Sequence, residues 1–144
     1  MKRSRLNLVA LLTIIFFLPI AADAQSAEPP AVLAAVAPFY PKLSLPNTSG
    51  SVMVEVTIDA RGNVAGAKAM NGHPLLQIPS VEAAKSWRFA PASDGSIERR
   101  ARLMFEYPLV PAGTPENELW PVYKPPYGIE VKHREVKTRV GRRR

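Results

Sequence analysis

Between residues 51 and 58 the chain alternates strictly. Val52, Val54, Val56 and Ile58 fall on one side, and Met53, Glu55 and Thr57 on the other. A period of two with a β-branched face predicts a half-buried strand. Residues 59–63, Asp-Ala-Arg-Gly-Asn, supply the Gly and Asn that a hairpin turn uses for its positive-φ positions. Residues 64–70 are the natural return strand, weaker because they are rich in Ala and Gly. Asn71-Gly72-His73-Pro74 breaks the pattern. A helix is predicted over residues 79–89: Pro79 suits a first helical position, Glu82 the first turn, and Lys85 and Arg88 the last. Leu76, Ala83, Ala84 and Trp87 share one face, so Trp87 is expected to pack on the sheet. Pro91 stops the helix, and residues 93–96 make a turn. The last alternation runs over residues 98–107. Ala101, Leu103, Phe105 and Tyr107 form one face, and Arg100, Arg102, Met104 and Glu106 the other.

The order strand, strand, helix, strand predicts a small α+β domain: an antiparallel three-stranded sheet with the helix packed on one face. Its limits are placed at residues 39–110. Beyond it, residues 111–144 are Pro-rich and then basic. They show no regular period and are read as a mobile tail.

The other end follows a different logic. Lys2, Arg3 and Arg5 precede an almost wholly apolar run over residues 6–20, and Ala22-Asp23-Ala24 gives a small-x-small triplet. Basic start, short apolar run and small-residue exit predict a cleaved secretory leader over residues 1–24. The alternative is an uncleaved membrane anchor. The run is short for a span and contains Pro19, which favours cleavage. Residues 25–38, rich in Ala and Pro, read as a linker. The expected location is therefore outside the cytoplasm.

Composition narrows the chemistry. The chain has 144 residues and no cysteine, which excludes a disulfide scaffold, a thiol enzyme and a zinc–thiolate module. The net charge is +7, but residues 25–128 balance nine basic residues against nine acidic ones. The surplus lies at residues 129–144, where seven basic residues face two acids. A basic domain face for nucleic acid is thus not supported. The tail, with Lys137, Arg139 and Arg142 to Arg144, suits contact with an anionic surface. Only two histidines occur, His73 and His133. His73 lies in a Gly-His-Pro turn without companions at ligand spacing. Asp59 at a hairpin corner is a turn former. Ser80 and Ser86 lack a nucleophile setting. No catalytic, metal or cofactor site is expected. The sharpest charge cluster in the domain is Arg99, Arg100 and Arg102, which fits a solvated strand face guarding an edge.

An ordered set of short motifs adds a further expectation. Tyr40-Pro41, the stretch Gly50-Ser51-Val52-Met53-Val54-Glu55-Val56-Thr57-Ile58-Asp59, Gly62-Asn63-Val64, Gly72-His73-Pro74-Leu75-Leu76, and Ala83-Ala84-Lys85-Ser86-Trp87-Arg88-Phe89-x-Pro91-Ala92 together resemble the C-terminal domain of TonB-type energy transducers. Phe105-Glu106-Tyr107 fits the end of its last strand. The resemblance implies a periplasmic module that grips an extended segment of an outer-membrane receptor by adding it to a sheet edge, without catalysis. Partner contacts are expected at Tyr40, Pro41, Arg99, Arg100, Arg102 and Met104, the arginine cluster then marking the strand over residues 98–107 as the edge where a partner segment adds. It also implies a monomer or a strand-paired dimer. Two departures favour a free module over an anchored energy transducer: the apolar leader contains no histidine, and a long Pro-rich spacer is missing. A structural envelope protein held by its basic tail is the remaining alternative.

Overall fold

The computed structural model describes residues 29–41 and 47–137. The expected leader and the terminal arginine run lie outside the described residues. The elements are β1 (Val32–Ala34), β2 (Gly50–Asp59), β3 (Val64–Ala69), α1 (Pro74–Lys85), β4 (Arg88–Phe89), β5 (Glu98–Tyr107), β6 (Leu109–Val110), a 3-10 turn (Glu116–Glu118), β7 (Val122–Lys124), β8 (Gly128–Glu130) and β9 (His133–Arg134).

The hairpin and the last strand lie where the alternation puts them. β2 pairs antiparallel with β3 on one side and with β5 along its whole length on the other. Asp59 organises the hairpin turn: its Oδ1 accepts the amides of Arg61 and Asn63 at 3.0 and 2.8 Å. Those bonds, chiefly from Asn63, hold the Asp59 carboxyl below the usual range. Gly62 has φ 89°, and a Cβ there would meet the Phe89 carbonyl oxygen at 1.9 Å. This glycine is required both by conformation and by close approach.

The helix begins one turn earlier than expected. His73 is the N-cap, its Nδ1 accepting the Leu75 amide at 3.3 Å, and Pro74 takes the position assigned to Pro79. Pro79 lies inside the helix, and the chain leaves α1 before Trp87. An N-cap side chain and Pro at the first position define a helix start more strongly than a proline alone. Leu76, Ser80, Ala83 and Ala84 are the buried positions of α1, spaced as one helical stripe. They meet Val52, Val54, Val56 and Ile58 of β2 and Ala101, Leu103, Phe105 and Tyr107 of β5 in one core. Trp87 and Phe89 complete it, fully buried or nearly so. Burial of such side chains contributes on the order of 1.5–3 kcal/mol each.

The sheet itself is larger than expected. It has five strands in the order β3-β2-β5-β8-β7, where the sequence predicts three. The two additional strands come from the segment read as an irregular tail. β8 runs parallel to β5, pairing Met104 with Gly128, Phe105 with Ile129 and Glu106 with Glu130. β7 folds back on β8 through a turn that contains a cis Pro125–Pro126 bond. β9 then pairs parallel with β6. Ile129, Val131 and His133 are buried, so this segment carries core side chains of its own. β5 is therefore an interior strand over residues 104–106, not an edge along its full length.

Candidate functional site

Strand geometry fixes which parts of β5 remain available. The Met104 amide donates to the Tyr127 carbonyl at 2.8 Å, and the Glu106 carbonyl accepts from the Val131 amide at 2.7 Å. In a strand, the N–H and C=O of alternate residues point to the same side. The backbone groups of Arg102 and Arg100 therefore point the same way as those of Met104 and Glu106. No strand among the described residues pairs with them there. One half of β5 is capped by β8, and among the described residues the other half is an open edge.

A groove of about 770 Å³ runs along that open half. Pro29, Pro30 and Tyr127 form its apolar wall, and Arg99, Arg100, Ala101 and Arg102 its strand side, with Glu55 and Glu98 at the charged face. The Tyr127 hydroxyl donates to the Pro30 carbonyl at 2.9 Å, which ties the N-terminal segment to the hairpin turn. Burial raises the pKa of that hydroxyl.

The charged face is crowded on one side of the sheet. Arg100 and Arg102 approach Glu55 at 3.9 and 3.6 Å, and Arg100 approaches Glu98 at 3.6 Å. Each arginine side chain is 67% exposed, so these pairs contribute little to stability. Arg99 lies on the other face of β5. Its Nη2 donates to the Ala90 carbonyl at 2.5 Å, while its Nε is buried with no acceptor among the described residues. Over the capped half the charges are matched differently. Lys124 of β7 bonds Glu106 of β5 at 2.6 Å and also Glu130 of β8. Its hydrogen bond to Glu106, then that to Glu130, raises the Lys124 pKa, and Lys124 lowers that of Glu130.

The residues expected to touch a partner divide into two groups. Arg99, Arg100 and Arg102 line the groove, and Met104 stands at its end where β8 takes over. Tyr40 is in the core, 6% exposed, with its ring 3.7 Å from that of His133 and its hydroxyl donating to the Thr48 carbonyl at 2.9 Å. Neither Tyr40 nor the half-buried Pro41 lines the groove. His133, expected in a mobile tail, is 2% exposed and contacts the Thr48 carbonyl through Nε2 at 2.7 Å. Ser80 donates to the Leu76 carbonyl at 2.7 Å and so accepts from the Tyr107 hydroxyl at 2.6 Å, a buried packing contact. Sequence reasoning missed Pro29, Pro30 and Tyr127. They meet only through the hairpin turn, and no local period marks them. Glu55 was legible as an outward position of β2.

No group of three or more metal-ligating side chains occurs among the described residues, and none of their helices is long and apolar enough to cross a membrane. No curated protein matches the chain. The solution NMR structure of the Pseudomonas aeruginosa TonB C-terminal domain is similar to it, with 25% identity over 57% of this chain and 88% of that one, at a TM-score of 0.43. The family described as Gram-negative bacterial TonB protein C-terminal matches residues 36–109, just over half of the 144 residues. The chain belongs to the TonB C-terminal domain family.

Proposed function

We propose that the chain is a periplasmic, non-catalytic binding module that takes up an extended segment of an outer-membrane protein as an added strand beside β5. Domains of this family are protein-interaction modules that serve transport in the Gram-negative periplasm. The observation that supports strand addition here is the outward backbone of Arg100 and Arg102. Among the described residues it has no strand partner, and it continues a stretch of the same strand that already accepts β8. Main-chain hydrogen bonds supply the attachment in such a complex, and the alternate side chains supply selectivity. The open half has room for a short segment only, so weak and reversible attachment is expected. The predicted cleavage before Gln25 makes the module a free one, and N-terminal sequencing of the protein from its native envelope tests that point.

The binding test is a titration of the isotope-labelled chain with extended peptides from the periplasmic ends of outer-membrane receptors. The amides of Arg100 and Arg102 are expected to shift and to gain exchange protection. Peptides N-methylated at alternate residues should lose the effect. If millimolar peptide leaves the β5 amides unmoved, strand addition at this edge is wrong.

A further inference from the structure

The segment after residue 109 lies outside the stretch that the family model matches, and it adds a surface of its own. β7 is the outermost strand on its side of the sheet, and all three of its residues are exposed. Trp120, just before it, is 71% exposed, and Val122 and Tyr123 within it are 41% and 43% exposed. Pro121, Pro125 and Pro126 flank them and carry no N–H. The Tyr123 hydroxyl is already bonded to the Pro126 carbonyl at 2.5 Å, which satisfies its polar end. The sheet therefore ends in a margin of two aromatic rings and a valine turned to solvent. Trp and Tyr are the side chains best suited to the headgroup layer of a bilayer.

The charges beside this margin favour an anionic partner. Glu116, which lines a small cavity with Leu119, Trp120 and Pro121, is paired with Arg134 at 2.9 Å. Lys124 pairs with Glu106 and Glu130, and Lys132 with Glu130. Glu118 and Glu135 oppose an anion in part. Residues 136–144 hold Lys137, Arg139, Arg142, Arg143 and Arg144 and no acid. The start of this basic run is fixed beside the margin. Arg134 bonds the Thr114 carbonyl as well as Glu116, on the turn that leads into Trp120, and Val136 exchanges two bonds with Asn47.

We propose that residues 120–123 and the basic run after Val136 form a docking surface for an anionic phospholipid bilayer. The aromatic margin enters the headgroup layer, and the guanidiniums meet the phosphates. A shallow apolar contact is marginal alone, and a polybasic stretch alone is screened by salt. Together they are the two signals that hold a protein reversibly on a membrane. The contact uses none of the β5 edge, so it stands or falls independently of strand addition.

The chain carries two tryptophans, Trp87 fully buried and Trp120 exposed, so Trp120 is the one that reports on a surface. The protein purified from its native envelope is mixed with vesicles of phosphatidylcholine alone, or of equal parts phosphatidylcholine and phosphatidylglycerol. Co-sedimentation with the anionic vesicles is expected at low salt, with a blue shift of the tryptophan emission, and little of either with the neutral ones. Trp120→Ala should abolish the shift and weaken binding about threefold or more, leaving the thermal melt unchanged. Replacing Arg142, Arg143 and Arg144 by Gln should weaken binding roughly fivefold per residue at low salt, and less as salt is added. All variants share one N-terminus, so these differences report the C-terminal surface. Sedimentation without a shift, and unaltered in Trp120→Ala, would reduce the contact to charge attraction and overturn the proposal. Equal binding to neutral vesicles, or none to the anionic ones, would overturn it as well.

Discussion

The amide of Met104 donates to the carbonyl of Tyr127 at 2.8 Å, and at this bond β5 passes from pairing on both sides to pairing, among the described residues, with β2 alone. On one side of it the chain adds its own tail to the sheet. On the other side lie Arg102, Arg100 and the groove. The tail hairpin thus decides how much of β5 is available, and its anchoring in the core is a determinant of the site.

Ile129 is that anchor. It is 3% exposed and lies opposite Phe105 in the parallel register. Ile129→Ala is expected to cost about 2–4 kcal/mol through lost burial and the cavity left behind. Urea unfolding checks the loss. Hydrogen exchange should show the Met104 amide opening more than that of Val54, because β2 keeps both of its neighbours.

Glycine positions separate conformation from contact. Gly62 and Gly95 both have positive φ, but only at Gly62 does a Cβ meet backbone, at 1.9 Å from the Phe89 oxygen. Gly95→Ala is expected to cost about 1–2 kcal/mol, from the left-handed conformation alone. Gly62→Ala should cost more than about 3 kcal/mol or prevent folding, since the β2–β3 turn and β4 must separate. Paired thermal melts of the two variants check the contrast.

Alkaline stability should depend on Tyr107. Burial pushes its hydroxyl up to about 12 from the ordinary 10.0, with the Ser80 bond a smaller opposing effect. The folded protein holds this proton more tightly than the unfolded chain. The associated stability, about 2–3 kcal/mol, is therefore present in full below about pH 10 and lost as the pH rises towards 12. Tyr40 and Tyr127 are raised by burial in the same direction. Urea unfolding from about pH 8 to about pH 11 should show the fall, and Tyr107→Phe should remove most of it.

Trp87 ties the N-terminal segment to the core. Its Nε1 donates to the Val36 carbonyl at 3.0 Å, and its ring is fully buried beside Phe105. Trp87→Phe is expected to cost about 1–3 kcal/mol, from the lost bond and the smaller ring. Limited proteolysis should then cut sooner near residues 31–37, ahead of the rest of the domain.

The alternation of residues 51–58 and 98–107 determined β2, β5 and their buried faces, because a half-buried strand repeats every two residues. The same alternation placed Arg100 and Arg102 on one outward face, and the ordered motifs identified the family. The helix start was misplaced because two prolines compete in the sequence, and only the His73 cap distinguishes them. β7 and β8 left no signal, being three residues each among prolines and glycines, too short to display a period. What only the tertiary structure decided is where β5 is open. Strand pairing is made by main-chain groups that every sequence carries, so a distant tail can cap residues 104–106 and stop short of Arg100 and Arg102 without writing that choice into any local pattern.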